Sequence, residues 1–286
     1  MTRTVYLNGD YLPETEAKVS IFDRGFIMAD AVYEVTSVID SKLVDFAGHM
    51  ARLERSLGEL GIAKPLTTDE WLAVHRALIE KNEIADGAVY LQVTRGNGGD
   101  RDFVYPPSDT APTVVAYTWQ KPLLVDNPDA QRGWTVISLP DIRWHRRDIK
   151  TVQLLYPSMA KMEAKAKGAD DAWLVEDGTV TEGTSNNVYI VKNGRIITRE
   201  LSKDILHGIT RAAVLRFAAE AQMEVEERPF TIAEAQAADE AFATSASSFV
   251  MPVVSIDGTP VGTGKPGPVA RRLREIYVEE SRKAAI

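Results

Sequence analysis

Asp148-Ile149-Lys150-Thr151 and, further on, Thr181-Glu182-Gly183-Thr184-Ser185-Asn186-Asn187 are the stretches on which the reading of this chain turns. The first places an amine beyond an irregular, Arg-rich strand end. The second places a carboxylate in a Gly/Ser/Asn turn. That turn lies between Ala172-Trp173-Leu174-Val175 and Val188-Tyr189-Ile190-Val191, two apolar runs that read as strands buried on both faces. A strand from Trp134 to Leu139 and a helix from about Pro157 to Lys167, carrying the small residues Ala160 and Ala164, precede them. A lysine is by default a solvated surface charge and Thr-x-Gly turns are common, so it is the pair, not either residue, that carries weight.

Composition narrows the function. The chain has 286 residues, 44% hydrophobic and 26% charged, which suits one or two globular domains. Its net charge is -8 and its pI about 5.2, with the basic residues spread along the chain, which argues against nucleic acid as a partner and for small molecules. The absence of cysteine removes disulfides, thiolate metal sites and Cys nucleophiles. His49, His75, His145 and His207 show no metal-ligand spacing, so no metal is expected. No charged-then-apolar leader precedes Thr4-Val5-Tyr6-Leu7 and no apolar run approaches the roughly 18 residues of a membrane span, so the expectation is a cytoplasmic protein away from membranes.

The first part, residues 1–119, reads as hairpins and helices in a smaller α/β domain. Val5-Tyr6-Leu7 turns at Asn8-Gly9-Asp10, and Val32 to Val38 alternates before returning at Leu43-Val44. A helix from about Ala47 to Leu60 places Met50, Leu53, Leu57 and Leu60 at helical spacing, and Thr67-x-x-Glu70 is a capping box for a second. Strands over Ala88 to Thr94 and Thr113 to Trp119 follow. Residues 120–132, with two prolines and no periodicity, predict a linker, and 133–286 a larger second domain. Its helices run from Gly208 to Met223 and from about Pro268 to Lys283, the last read as structural. The fold class is mixed α/β, that is α+β with two domains.

An amine able to form a Schiff base and a carboxylate able to keep a pyridine nitrogen protonated are the two groups that pyridoxal phosphate requires. Its phosphate needs backbone N–H groups and a little positive charge. Leu206-His207-Gly208-Ile209-Thr210-Arg211 offers a Gly-led helix start with a hydroxyl in its first turn, although taken alone it reads more simply as an ordinary helix start capped by Thr210. Thr244-Ser245-Ala246-Ser247-Ser248 offers a turn of small residues. Arg52, one turn after His49, is the third candidate, and also reads as a solvated helix face. If the three converge, the cofactor lies between the two domains.

These residues resemble the fold-type IV pyridoxal-phosphate-dependent aminotransferases, most closely the D-amino-acid aminotransferases. The likeness runs in order through Asp23-Arg24-Gly25, Ala29 to Val35, His49-x-x-Arg52-Leu53, Gln92 to Gly96, Asp141-Ile142-Arg143-Trp144, Asp148-Ile149-Lys150, Thr181 to Val188, Gly208-Ile209-Thr210-Arg211 and Thr244-Ser245. By position, the resemblance implies that Lys150 is the Schiff-base lysine and proton shuttle and that Glu182 partners the pyridine nitrogen. It implies phosphate contacts at Arg52, Ile209, Thr210, Ala246 and Ser247, with Ser245 beside them, and Leu206 against the ring. Tyr33 and Arg101 stand where the D-specific enzymes bind the substrate carboxylate, and the family implies a homodimer with its cofactor at the domain interface.

The implied reaction moves an amino group from a D-amino acid, such as D-alanine or D-glutamate, to a 2-oxo acid such as 2-oxoglutarate or pyruvate. The alternatives on the same scaffold are an (R)-amine or branched-chain L-amino-acid transaminase, or a 4-amino-4-deoxychorismate lyase. A carrier that binds the cofactor without turnover is the non-enzyme reading. Two positions bear on this choice. The best-known D-amino-acid enzymes have Arg-x-His where this chain has Arg101-Asp102-Phe103, and a phenyl ring cannot hydrogen-bond a carboxylate. Branched-chain enzymes usually carry a tyrosine five residues after the lysine, where this chain has Leu155, with Tyr156 next to it.

Overall fold

The computed structural model describes residues 2–286. The chain forms two compact units. The first comprises Met1–Pro122, Ile149–Gln153 and Ala284–Ile286; the second comprises Leu123–Asp148 and Leu154–Lys283.

The first unit contains β1 (Thr4–Leu7), β2 (Asp10–Pro13), α1 (Arg24–Met28), β3 (Ala31–Ile39), β4 (Lys42–Leu43), α2 (Phe46–Leu60), α3 (Thr68–Lys81), β5 (Gly87–Thr94) and β6 (Val114–Gln120). Its antiparallel sheet runs β2-β1-β6-β5-β3-β4. Alternate residues along the strands, Val32 and Val38, Val89, Leu91 and Val93, Val114 and Ala116, form one core with Phe46, Met50, Leu53 and Leu57 of α2 and Trp71, Val74, Leu78 and Ile79 of α3. Each Val, Leu, Ile, Phe or Met side chain among them, fully buried, contributes about 1.5–3 kcal/mol. The Thr67–Glu70 capping box forms as its spacing predicts, and α2 stops at Gly61, whose φ of 61° suits a glycine.

β4 is two residues long and pairs only with Val38 and Ile39, which leaves the first residues of β3 with an unpaired edge. Ile149–Gln153 fills it. Tyr33 donates its N–H to the Lys150 carbonyl (3.0 Å), Val152 donates to Ala31 (3.2 Å), and Val32 bridges Thr151. Backbone groups that would otherwise need water are thereby satisfied, and Lys150 belongs to the first unit although the segments on either side of Ile149–Gln153 belong to the second.

The second unit contains α4 (Pro128–Arg132), β7 (Trp134–Pro140), α5 (Leu155–Ala166), β8 (Asp171–Glu176), β9 (Thr179–Gly183), β10 (Asn187–Lys192), β11 (Arg195–Thr198), α6 (Ile209–Glu220), β12 (Val225–Glu227), α7 (Ile232–Gln236), β13 (Glu240–Ser245), β14 (Phe249–Ile256), β15 (Thr259–Pro260) and α8 (Pro268–Ala284, whose last residue packs with the first unit). Its mixed sheet runs β12-β11-β10-β13-β14-β7-β8-β9, with β15 on β14. The pairs β14/β7, β7/β8 and β11/β12 are parallel. The stretch 120–132 is more ordered than its sequence predicts. β6 extends to Gln120, and Asn127 caps the short α4 by accepting from Asp129 N–H, with Pro128 opening the helix. No helix among the described residues is long and apolar enough to cross a membrane.

His75 is buried on α3 against the edges of Phe46 and Trp71. Its Nδ1 donates to the Trp71 carbonyl (2.7 Å) while Nε2 has no partner, an arrangement only the neutral ring tolerates. Burial pushes its pKa down from 6.5 to about 4. The unfolded chain therefore takes up the proton first, and the stability present above pH 6.5 is lost as the pH falls toward 4. Between pH 7 and pH 5 this one group removes about 2 kcal/mol. Urea unfolding of the wild type and of His75→Phe at both pH values should show the pH-dependent loss reduced by that amount in the variant; equal losses would contradict the assignment.

Candidate active site

The first unit gathers Tyr33, Arg52 and Lys150. The backbone pairing described above sets Lys150 beside β3, and its N–H also donates to Ser56 of α2 at 3.4 Å. Its Nζ lies 4.3 Å from the centroid of the Tyr33 ring, a cation–π approach. Tyr33 stacks on Tyr90 (5.6 Å), which stacks on Tyr117 (4.9 Å), because β3, β5 and β6 present these residues on one sheet face. The Tyr90 hydroxyl donates to Gln92 (2.8 Å), and burial pushes the Tyr90 pKa up, so it stays a neutral phenol.

Arg52 is not a solvated helix residue. Its Nε and Nη2 donate to both oxygens of Glu34 (2.7 and 2.8 Å), the neighbour of Tyr33 on β3, and His49 Nδ1 lies 2.8 Å from the same carboxylate. Burial alone would raise the Glu34 pKa, but the Arg52 charge and the hydrogen bonds of Arg52 and His49 outweigh it and hold Glu34 far below the usual carboxylate range. Arg101 lies in an exposed loop with its guanidinium 4.9 Å from the Phe103 ring, and Phe103 is 75% exposed. That loop is tied down behind Arg101. Arg24 donates to the Asp102 carbonyl (2.7 Å), and Arg24 and Arg95 both bind Asp30 and lie against the Tyr105 ring.

In the second unit Glu182 is buried at the end of β9. Arg143 Nη1 donates to its Oε1 (2.8 Å), while Asn187 Nδ2 and the Leu206 N–H both donate to Oε2 (3.1 Å each). A carboxylate offers about four acceptor positions, so these three donors fix its plane and leave one for a further N–H. Arg143 is itself fixed by a bidentate pair with Asp141 (2.9 and 2.6 Å), which also accepts from Thr181 (2.6 Å). Burial pulls the Arg143 pKa down, but Glu182 and Asp141 overcome it and raise the pKa, so the guanidinium is permanently charged. The turn after Glu182 is held by the buried Asp171, which accepts from Thr184 (2.5 Å) and Asn186 (2.6 Å).

Leu206, Ile209 and Thr210 join the same assembly. Asn187 Nδ2 donates to the Leu206 carbonyl (2.9 Å) as well as to Glu182, and a Cβ on Gly208 would collide with Asn187 Oδ1. Only glycine fits there. With glycine as its N-cap, α6 has no side-chain cap, so the N–H groups of its first turn can serve an anion. Asn187 pairs with Thr244 across β10 and β13, which brings the Ser245-Ala246-Ser247 turn to the same end of the sheet. The Ser245 hydroxyl lies 2.7 Å from that of Ser248 and 3.4 Å from that of Ser247.

The cationic run before Lys150 is dispersed by pairing. His145 is exposed, Arg146 binds Asp148, and Arg147 is buried on Glu176 (2.7 and 2.9 Å). The fold also groups His145 with Glu176 and Asp204, a set of ligand types that spacing did not foretell, but Arg147 and Arg199 already bind its two carboxylates. Arg143, Asp141, Asn187 and Asp171 were not singled out as site residues by the sequence. Asp141-Ile142-Arg143 and Asn187 lay within the matching motifs, but nothing in their spacing foretold that they converge on Glu182.

The amino-transferase class IV family matches residues 31–256. A D-alanine aminotransferase of Bacillus licheniformis is 40% identical over 270 residues, 94% of each chain, and one of Staphylococcus aureus (strain COL) is 37% identical over 271 residues, 95% of each. Among solved structures, the branched-chain amino acid aminotransferase from Thermobaculum terrenum in its PLP form superposes with a TM-score of 0.86 at 26% identity, over 99% of this chain and 94% of that one. The family match runs from the start of β3 to the end of β14 and so includes Lys150, Glu182, Gly208 and the serine turn: the chain belongs to the class IV aminotransferases.

Proposed function

We propose that this aminotransferase uses pyridoxal phosphate to move the amino group of a D-amino acid, such as D-alanine or D-glutamate, to a 2-oxo acid such as 2-oxoglutarate or pyruvate. The observation that carries the cofactor is the Glu182 carboxylate, buried, fixed by three donors and holding one acceptor position in reserve beside an uncapped helix start. The relatives named D-alanine aminotransferase support the D-amino acid.

Pyridoxal phosphate, when bound, supplies an aldehyde that condenses with amines and a ring that draws electrons from the carbon beside them. Lys150 would hold the aldehyde carbon in the resting enzyme, then take the α-proton of the donor as general base and return it one atom further along. Glu182 would accept the ring N–H and keep that nitrogen protonated. The first turn of α6 at Ile209 and Thr210, the Ser245-Ala246-Ser247 turn and Arg52 would hold the phosphate, with Leu206 against the ring. Tyr33 and Arg101 would hold the substrate carboxylate, the anchoring of the Arg101 loop by Arg24 and Arg95 standing in for the missing histidine.

The branched-chain reading draws on the solved structures of similar fold. Against it, Leu155 stands five residues after Lys150 and is 76% exposed, and the Tyr156 hydroxyl is committed to the Pro140 carbonyl. Product formation from D-alanine, L-leucine and an (R)-arylalkylamine, each with 2-oxoglutarate, separates the readings. D-alanine should exceed each of the others by about a hundredfold or more, two such contacts to a carboxylate and its correct hand being at stake. Preference for L-leucine or the amine would overturn the substrate assignment, and pyruvate release from aminodeoxychorismate without an acceptor would identify a lyase. For Lys150→Ala, turnover should fall by at least about a hundredfold with far-UV circular dichroism unchanged; a variant that still transaminates would sink the role of this lysine.

A further inference from the structure

The β13–β14 hairpin closes through the three residues Ala246–Ser248, its last pair being Ser245 with Phe249. A turn that closes such a hairpin is followed by a residue in the left-handed region, normally glycine. Here that residue is Phe249, with φ of 60°, a conformation that a bulky side chain resists. The hairpin's own closing bond, from Ser248 N–H to the Ser245 carbonyl, is long at 3.4 Å. Something outside the hairpin has to hold this shape.

α8 supplies it. The buried Phe249 ring lies 5.2 Å from Tyr277, and one helical turn earlier Arg274 donates from Nη1 to the two carbonyls that flank Phe249, those of Ser248 (2.7 Å) and Val250 (2.8 Å). Its Nη2 donates to the carbonyls of Leu124 (3.2 Å) and Val125 (2.9 Å). Arg274 forms no ion pair among the described residues, and burial, only partly offset by the charge of Asp126, pulls its pKa down to about 10. A half-buried cation without a paired carboxylate is a costly way to tie backbone together, and such departures from ordinary packing concentrate at functional places.

We propose that Arg274 is a positioning residue for the cofactor phosphate: by gripping the carbonyls on both sides of Phe249 it holds the left-handed kink that shapes the Ser245-Ala246-Ser247 turn, and it adds a half-buried positive charge behind that turn. The inference rests on the assignment of this turn to the phosphate of pyridoxal phosphate. The C-terminal helix, which its sequence marks only as amphipathic support, thereby becomes part of cofactor binding.

The test compares pyridoxal phosphate with pyridoxal, which lacks the phosphate, by equilibrium dialysis against the apo forms of the wild type, Arg274→Met and Arg274→Lys. Arg274→Met keeps the stem and should weaken pyridoxal phosphate by about tenfold or more while leaving pyridoxal within about twofold. Arg274→Lys, which keeps the charge but cannot reach four carbonyls, should lie between. A purely structural clasp would weaken both ligands alike, and an equal loss, or no loss, in both variants overturns the proposal. Should Arg274→Met not fold, the ratio in Arg274→Lys decides alone. A wild type that binds the two ligands equally would overturn the phosphate assignment of the turn, and the role of Arg274 with it.

Discussion

The fixed carboxylate of Glu182 is the interaction on which the rest of the second unit depends. A carboxylate taken out of water must be met by hydrogen bonds or opposite charge, or it destabilises the fold by several kcal/mol. Its donors come from three separate parts of the chain: Arg143 after β7, Asn187 at the start of β10 and the Leu206 N–H before α6. Each is held in turn, Arg143 by Asp141, Asn187 by the Leu206 carbonyl and by close packing with Gly208. The direction of the carboxylate and the place where α6 begins are therefore set by one network. Moving one group moves the other.

The first unit solves the same problem at Glu34. There Arg52 and His49 neutralise a carboxylate next to Tyr33, which fixes α2 against β3 at the level where Lys150 joins the sheet edge. Placing the lysine on a short paired segment rather than a free loop limits its backbone to one position, and the Tyr33 ring limits its side chain. The aromatic stack behind Tyr33 then constrains that ring as well. Positioning of this kind, achieved before any ligand arrives, is what a proton-transferring group needs.

Much of this was legible in the sequence where the signal was local. The α3 capping box, the glycine stop of α2, the buried strands around Glu182 and the Gly208 helix start depend on neighbouring residues, and periodicity or turn chemistry exposes them. Lys150 and Glu182 stood out by type and context. Partners distant in sequence did not. Arg52 reads as a surface residue until Glu34 is placed beside it by packing, and Arg143 until Glu182 is. The transfer of Ile149–Gln153 to the first unit follows from how short β4 is, a fact with no sequence signature. Phe249 at a left-handed position contradicts the local rule outright, and only Arg274 and Tyr277 explain it.

The central claim is that Glu182 accepts a hydrogen bond from a protonated ring nitrogen. The most direct measurement is the 15N chemical shift of the ring nitrogen in the enzyme loaded with 15N-labelled pyridoxal phosphate, for the wild type and for Glu182→Gln, which has nearly the same shape. The wild type should give the shift of a pyridinium nitrogen and the variant that of a neutral pyridine. The same shift in both proteins would mean that the ring nitrogen does not answer to Glu182, and would contradict the account.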